Sequence, residues 1–139
     1  MGADVGVTSA TTSAGGRGLR ALRAGAIVFG LLVIAGEVFR SWGERSVIWW
    51  LDDFMVGAGL ILTAIFLAPE TAQRRAIFSS AWAFAVGIIY ISFFDKIVLA
   101  QIVGPGVEVN RLNIFVTLSL VLAVAGLAAS LILPFKSAS

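Results

Sequence analysis

Four stretches of this chain carry no charged side chain at all: residues 24–36, 54–68, 76–94 and 112–134. Backbone amides and carbonyls inside runs of this kind must find hydrogen-bond partners without help from water, and a helix supplies them within the segment itself. With their flanks the runs extend to about 20–39, 48–68, 76–97 and 112–133. Each then approaches the ~20 residues a helix needs to cross ~30 Å of hydrocarbon. Punctuation falls between them. Gly43, Glu44 and Arg45 mark a polar turn at 41–47, Pro69 and Glu70 open a second at 69–75, and Gly104-Pro105-Gly106 is a third. The connections are too short for another domain. The expected fold is all-α: an integral membrane four-helix bundle running up-down-up-down with short turns. Residues 1–18, rich in Gly, Ala, Ser and Thr, read as a disordered N-terminal tail, and 137–139 as a C-terminal tail. A basic start before an apolar stretch also describes a signal peptide, but no small-x-small cleavage site follows it, so the first helix is expected to be retained.

Composition narrows the chemistry. Hydrophobic residues make up 59% and charged ones 13%, with mean hydropathy +0.99. A soluble domain carries roughly 25% charged residues. There is no cysteine and no histidine, which removes disulfides, thiolate or imidazole metal sites, His-ligated haem and imidazole acid–base catalysis. No metal and no cofactor are expected. The ten basic residues are scattered, without the basic, aromatic-laced face of a nucleic-acid binder.

With four spans, Arg17, Arg20, Arg23, Arg74, Arg75 and Lys136 fall on one side, and Arg40, Arg45, Lys96 and Arg111 on the other. The excess places both termini in the cytoplasm, as expected for a multi-pass protein of a bacterial inner membrane. In size and span count, the plan is similar to small bacterial four-helix membrane proteins, the DoxX-like ones among them. No motif accompanies that likeness, and it implies no activity. The acids are more lopsided than the bases: Glu37, Glu44, Asp52, Asp53, Asp95 and Glu108 share the outer side, against Asp4 and Glu70 on the inner.

Helical spacing then groups residues by face. Ala26, Gly30, Val33 and Glu37 share one in the first helix, and Asp53, Gly57, Leu60, Ala64 and Ala68 one in the second. Ala81, Ala85, Ile88, Ser92 and Asp95 form a third. Ser119, Ala123, Gly126 and Ser130 form a fourth. Small residues allow membrane helices to approach closely, so these faces are expected to pack. The ligand- or ion-binding candidates are Glu37, Asp52, Asp53, Asp95 and Asn113, with Arg40, Lys96 and Arg111 as charge partners. An ionisable group inside a span points to function, yet each candidate has a plainer reading. Glu37 can pair with Arg40 three residues on. Asp52 and Asp53 can serve the N-terminus of the second helix. Asp95 and Lys96 can neutralise each other at an interface. A DDxxD metal motif is incomplete, because position 56 is Val. Trp42, Trp49 and Trp50 fit an interfacial aromatic belt; Trp82 and Tyr90 are expected to pack within the third span.

Three functions fit these residues. One is a non-catalytic membrane subunit, assembly or scaffold protein, whose partners are the lipid bilayer and other membrane proteins or further copies of itself. Another is a proton- or cation-linked carrier or channel using Glu37 and Asp53. The last binds a lipid or hydrophobic small molecule near the acidic mouth. Catalytic residue types are missing, so an enzyme is the weaker expectation.

Overall fold

A computed structural model describes the backbone of residues 6–41, 51–68, 70–103 and 107–133, and the side chains at 16–39, 51–68, 70–95, 97, 98, 102 and 113–133. Within these residues the chain is all-helical, with α1 at Gly6–Ser41, α2 at Leu51–Phe66, α3 at Ala72–Val103 and α4 at Val107–Ile132. Three helices contain stretches long and apolar enough to cross a membrane: Gly16–Phe39, Ala72–Asp95 and Asn113–Ile132. The 16 residues of α2 reach only about 24 Å at about 1.5 Å per residue, and the beginning of the expected span 48–68 lies outside the described residues.

Two helices are longer than the apolar runs that specify them. The first, α1, starts at Gly6 and so takes in most of 1–18, which composition alone reads as an unstructured tail. Once a helix is nucleated, each added residue gains a hydrogen bond without a new nucleation step. For the same reason α3 continues through Asp95-Lys96 to Val103 instead of stopping at the charges.

Each helix lies beside its neighbours in the chain, and α4 returns to meet α1 over the shortest length; the diagonal pairs have no backbone approach among the described residues. Contacts fix the directions. Arg23 meets Ala64 while Gly30 meets Gly57, so α1 and α2 are antiparallel. Arg75 meets Ser130 and Trp82 meets Gly126, so α3 and α4 are too.

The small-residue faces carry this packing. A Cβ at Gly30 would stand 2.6 Å from the Gly57 carbonyl oxygen, and one at Gly57 would stand 2.6 Å from the Gly30 oxygen and 2.5 Å from Ile34 Cγ1. Backbone thus lies on backbone between α1 and α2, with Ala26, Leu60 and Ala64 fully buried around it. On the far side, the Trp82 indole lies in a notch of α4 where a Cβ at Gly126 would be only 2.5 Å from Cζ3 and Cη2. Phe29 of α1 stacks on Trp82 at 5.7 Å and 25°, and Phe78 meets it edge-on at 6.4 Å and 81°. These rings join the diagonal pair α1 and α3 through side chains alone, in arrangements worth ~0.5–1.5 kcal/mol each beyond their area. The outward faces remain apolar: Leu32, Leu62, Ile91, Leu118 and Leu131 are all exposed. Contiguous apolar surface on this scale is foreign to a water-soluble monomer.

Candidate functional site

Antiparallel packing brings the C-termini of α1 and α3 together with the N-termini of α2 and α4. Glu37 and Asp53 belong to this end. The opposite end gathers Arg23, Arg74 and Arg75.

At the arginine end the guanidinium groups are used on backbone carbonyls. The last carbonyls of a helix have no partner within it, and they carry the negative end of its dipole. Arg23 Nε donates to the Ala64 oxygen at 2.8 Å, and Arg74 Nη1 to the Ala68 oxygen at 2.8 Å, together capping α2. Arg75 caps α4: Nε and Nη2 donate to the Ser130 oxygen at 3.0 and 2.9 Å, and Nη2 also to Leu133 O. Its Nη1 lies 3.6 Å from Glu70 Oε1. The Thr71 hydroxyl accepts from the Arg74 amide at 3.2 Å, an N-cap that starts α3. The sequence suggests these arginines as markers of sidedness, and their capping geometry is not visible in it.

At the carboxylate end the four helices separate around a cavity of about 320 Å³. Its walls come from Val33, Gly36, Glu37 and Phe39 on α1, Asp53 on α2, Ile89 and Ser92 on α3, and Phe115, Val116 and Ser119 on α4. The lining is mainly apolar, with four polar side chains. Glu37 is only 3% exposed, and Asp53 is half-buried. Glu37 and Asp53 each interact with other groups within the protein.

The expected acidic cap is thus narrower than the sequence suggests. Glu37 and Asp53 share the cavity. Asp52 and Asp95 are exposed and do not line it. Asp52 Oδ1 instead accepts from the Asp53 amide at 3.0 Å, in the first turn of α2, where a negative charge complements the helix dipole. Asp95 was expected on the packed face of α3, and its exposure corrects that. Asn113 is half-buried outside the cavity, and its Oδ1 is buried with no hydrogen-bond partner among the described residues. The partner side chains Arg40, Lys96 and Arg111 lie outside the described side chains; Trp42, Glu44, Arg45, Trp49 and Trp50 lie outside the described residues. Among the described residues no three acids gather in a way that would hold a metal ion.

Trp82 packs as expected, with 3% exposure and Nε1 unpartnered among the described residues. Tyr90 is exposed beside Phe94 instead of packed. The polar cavity residues absent from the sequence-based candidates are Ser92 and Ser119. Both stand on the small-residue faces, so the signal for them was present but read only as packing. No protein-family model, curated protein or solved structure matches this chain.

Chemically, the cavity offers acceptors. An ionised carboxylate only accepts hydrogen bonds, and a serine hydroxyl accepts or donates. Its volume stands at the lower end of small-molecule sites, roughly 300–1,000 Å³, which are likewise apolar with a few placed polar groups.

Proposed function

We propose that this chain is an integral membrane four-helix bundle that binds a small lipophilic molecule with a hydrogen-bond-donating head, an amine foremost, in the cavity at its carboxylate end. The observation that carries this reading is the pairing of buried Glu37 with Asp53 on the wall of one mainly apolar cavity. The apolar lining suits a hydrocarbon tail, and Glu37, Asp53, Ser92 and Ser119 suit the donor head. In this reading α2 is the fourth span. The arginine end faces the cytoplasm of a bacterial inner membrane and the cavity faces the outer leaflet. Single cysteines at Arg45 and Arg74, in a chain with no native cysteine, test the orientation: modification of Arg74→Cys by an impermeant reagent added outside intact cells would reverse it.

Transport is less well supported. Beyond the cavity the interior is filled by Phe29, Phe78 and Trp82, and the far end is tied by Arg75 to α4. Binding without translocation needs no path through that plug.

Radiolabelled dodecylammonium binding to the protein in nanodiscs, corrected for empty discs, tests the reading. Saturable binding is expected, with no saturable component for dodecanoate. Asp53→Asn removes a charge-assisted hydrogen bond worth ~1.5–3 kcal/mol and should weaken binding by about tenfold or more. Ser119→Phe fills the cavity and should abolish it. Dodecylammonium binding that is indifferent to Ser119→Phe would sink the proposal.

A further inference from the structure

The way into the cavity is written in which of its walls are exposed. Of the residues lining it, two stand out at the surface: Phe39 at 93% and Phe115 at 54% exposure. Phe39 stands on α1 and Phe115 on α4. The walls supplied by α2 and α3 are buried or half-buried: Asp53, Ile89 and Ser92. The most exposed walls of the cavity therefore belong to α1 and α4.

The α1–α4 seam is also where the helices touch over the shortest length. Two glycines mark its contacts. Toward the arginine end, a Cβ at Gly18 would meet Leu133 Cδ2 at 3.0 Å, a tight closure. Toward the carboxylate end, among the described residues a Cβ at Gly36 would meet only Phe115 Cζ, at 3.6 Å, which is ordinary contact. One seam-end is tightly closed, and at the other, among the described residues, an aromatic ring lies over a residue with no side chain to interlock with it. Leu32 on α1 and Ile114 and Leu118 on α4 are exposed apolar side chains of the same two helices.

We infer that the cavity is loaded laterally, from the hydrocarbon of the bilayer, through the α1–α4 seam, with the Phe115 ring over Gly36 as its shutter. This rests on the binding reading above and sharpens its ligand class. A molecule that reaches the site this way must first partition into lipid, so the ligand is an amphiphile whose tail enters with its head, not a water-borne amine. Carboxylates deep on the wall then receive the donor head after it has passed the ring.

A reversible cross-link tests the route. In the double variant Gly36→Cys/Phe115→Cys, a short bifunctional methanethiosulfonate bridges the seam and reduction releases it. Loading of dodecylammonium from vesicles is expected to slow at least about tenfold when the seam is bridged, as closing a lid slows exchange. It should recover on reduction, while dodecylammonium loaded before bridging stays bound. Each single-cysteine variant given the same reagent cannot be bridged and should load faster than the bridged double variant. Phe115→Ala needs no cross-link and should speed both loading and release by about tenfold. If bridging leaves the loading rate unchanged while saturable binding persists, lateral loading is wrong and the binding site stands. Loading of Phe115→Ala no faster than the native protein also overturns the shutter. If the native protein shows no saturable binding at all, the site and its route fall together.

Discussion

The two ends of this molecule solve the same problem in opposite ways. Both contain helix termini and charged side chains near apolar surface, where an unsatisfied polar group is expensive. At the arginine end the guanidinium groups of Arg23, Arg74 and Arg75 reach back to the carbonyls of α2 and α4, and the layer beneath them is filled by Phe29, Phe78 and Trp82. At the carboxylate end the polar groups turn inward to a cavity, with Glu37 and Asp53 on its wall. A long flexible cation can cap a neighbouring helix from its own. A carboxylate on a short stem cannot, and at a helix N-terminus it is already served by its local amides, as Asp52 shows. The difference teaches that interlocked packing is concentrated in the arginine half, and the carboxylate half is where we propose recognition to occur.

The largest expected effect breaks the packed half. Gly126→Leu drives a side chain into the Trp82 ring, which cannot retreat because Phe29 stacks on it and Phe78 abuts it. Overpacking of this kind costs ~1–3 kcal/mol and more where nothing yields; we expect about 3 kcal/mol, measured by reversible unfolding in mixed micelles. The control is Gly87→Ala, where an added Cβ meets nothing within 4 Å. That change should stabilise α3 by about 0.5–1 kcal/mol. Equal outcomes for the two would mean that the Trp82 notch is not the tight point it appears by geometry.

Next in size is the cap on α4. Arg75→Met removes the donors to the Ser130 and Leu133 carbonyls and the partner of Glu70. Losing charge-assisted bonds to part-buried acceptors should cost about 2 kcal/mol. Arg75→Lys should recover less than half, since an ammonium lacks the planar fork that meets two carbonyls at once. Full recovery by lysine would show that charge near the helix end suffices and that the two-carbonyl geometry contributes little.

Much of the helix packing was legible in the sequence. Gly30, Gly57, Ala64, Ala123 and Gly126 were placed on packed faces by their spacing, and the structure buries them. Glu37 followed from the same spacing, four residues beyond Val33. Asp95 did not follow the rule. The stripe Ala81, Ala85, Ile88, Ser92, Asp95 repeats about every 3.5 residues, and on a straight helix such a stripe drifts by ~20° per heptad. Across two heptads that drift is enough to carry Asp95 from the packed face toward the surface. Pairings between helices were not legible either. Trp82 on Gly126, or Arg75 on Ser130, depends on which helices are neighbours and at what height, and spacing within one helix holds no information on that.

The smallest expected effect sharpens the boundary of the site. Asp52 and Asp95 sit at the same end as Glu37 and Asp53 but are exposed and outside the cavity. If recognition belongs to the cavity, then charge at that end is not enough. Asp52→Asn keeps an oxygen able to accept from the Asp53 amide, so the first turn of α2 should hold. Asp95→Asn changes an exposed side chain on α3. Surface substitutions away from special features fall within about 0.5 kcal/mol, so both variants should unfold as the native protein does and bind dodecylammonium with affinity altered less than about threefold. Asp53→Asn, one residue from Asp52, should differ from it by at least a further factor of three in the same assay. That contrast between adjacent acids separates a shaped site from a diffuse negative field. A field acting through solvent would treat Asp52 and Asp53 alike and would fade with added salt, whereas a group on the cavity wall keeps its effect because part-buried charges are screened much less.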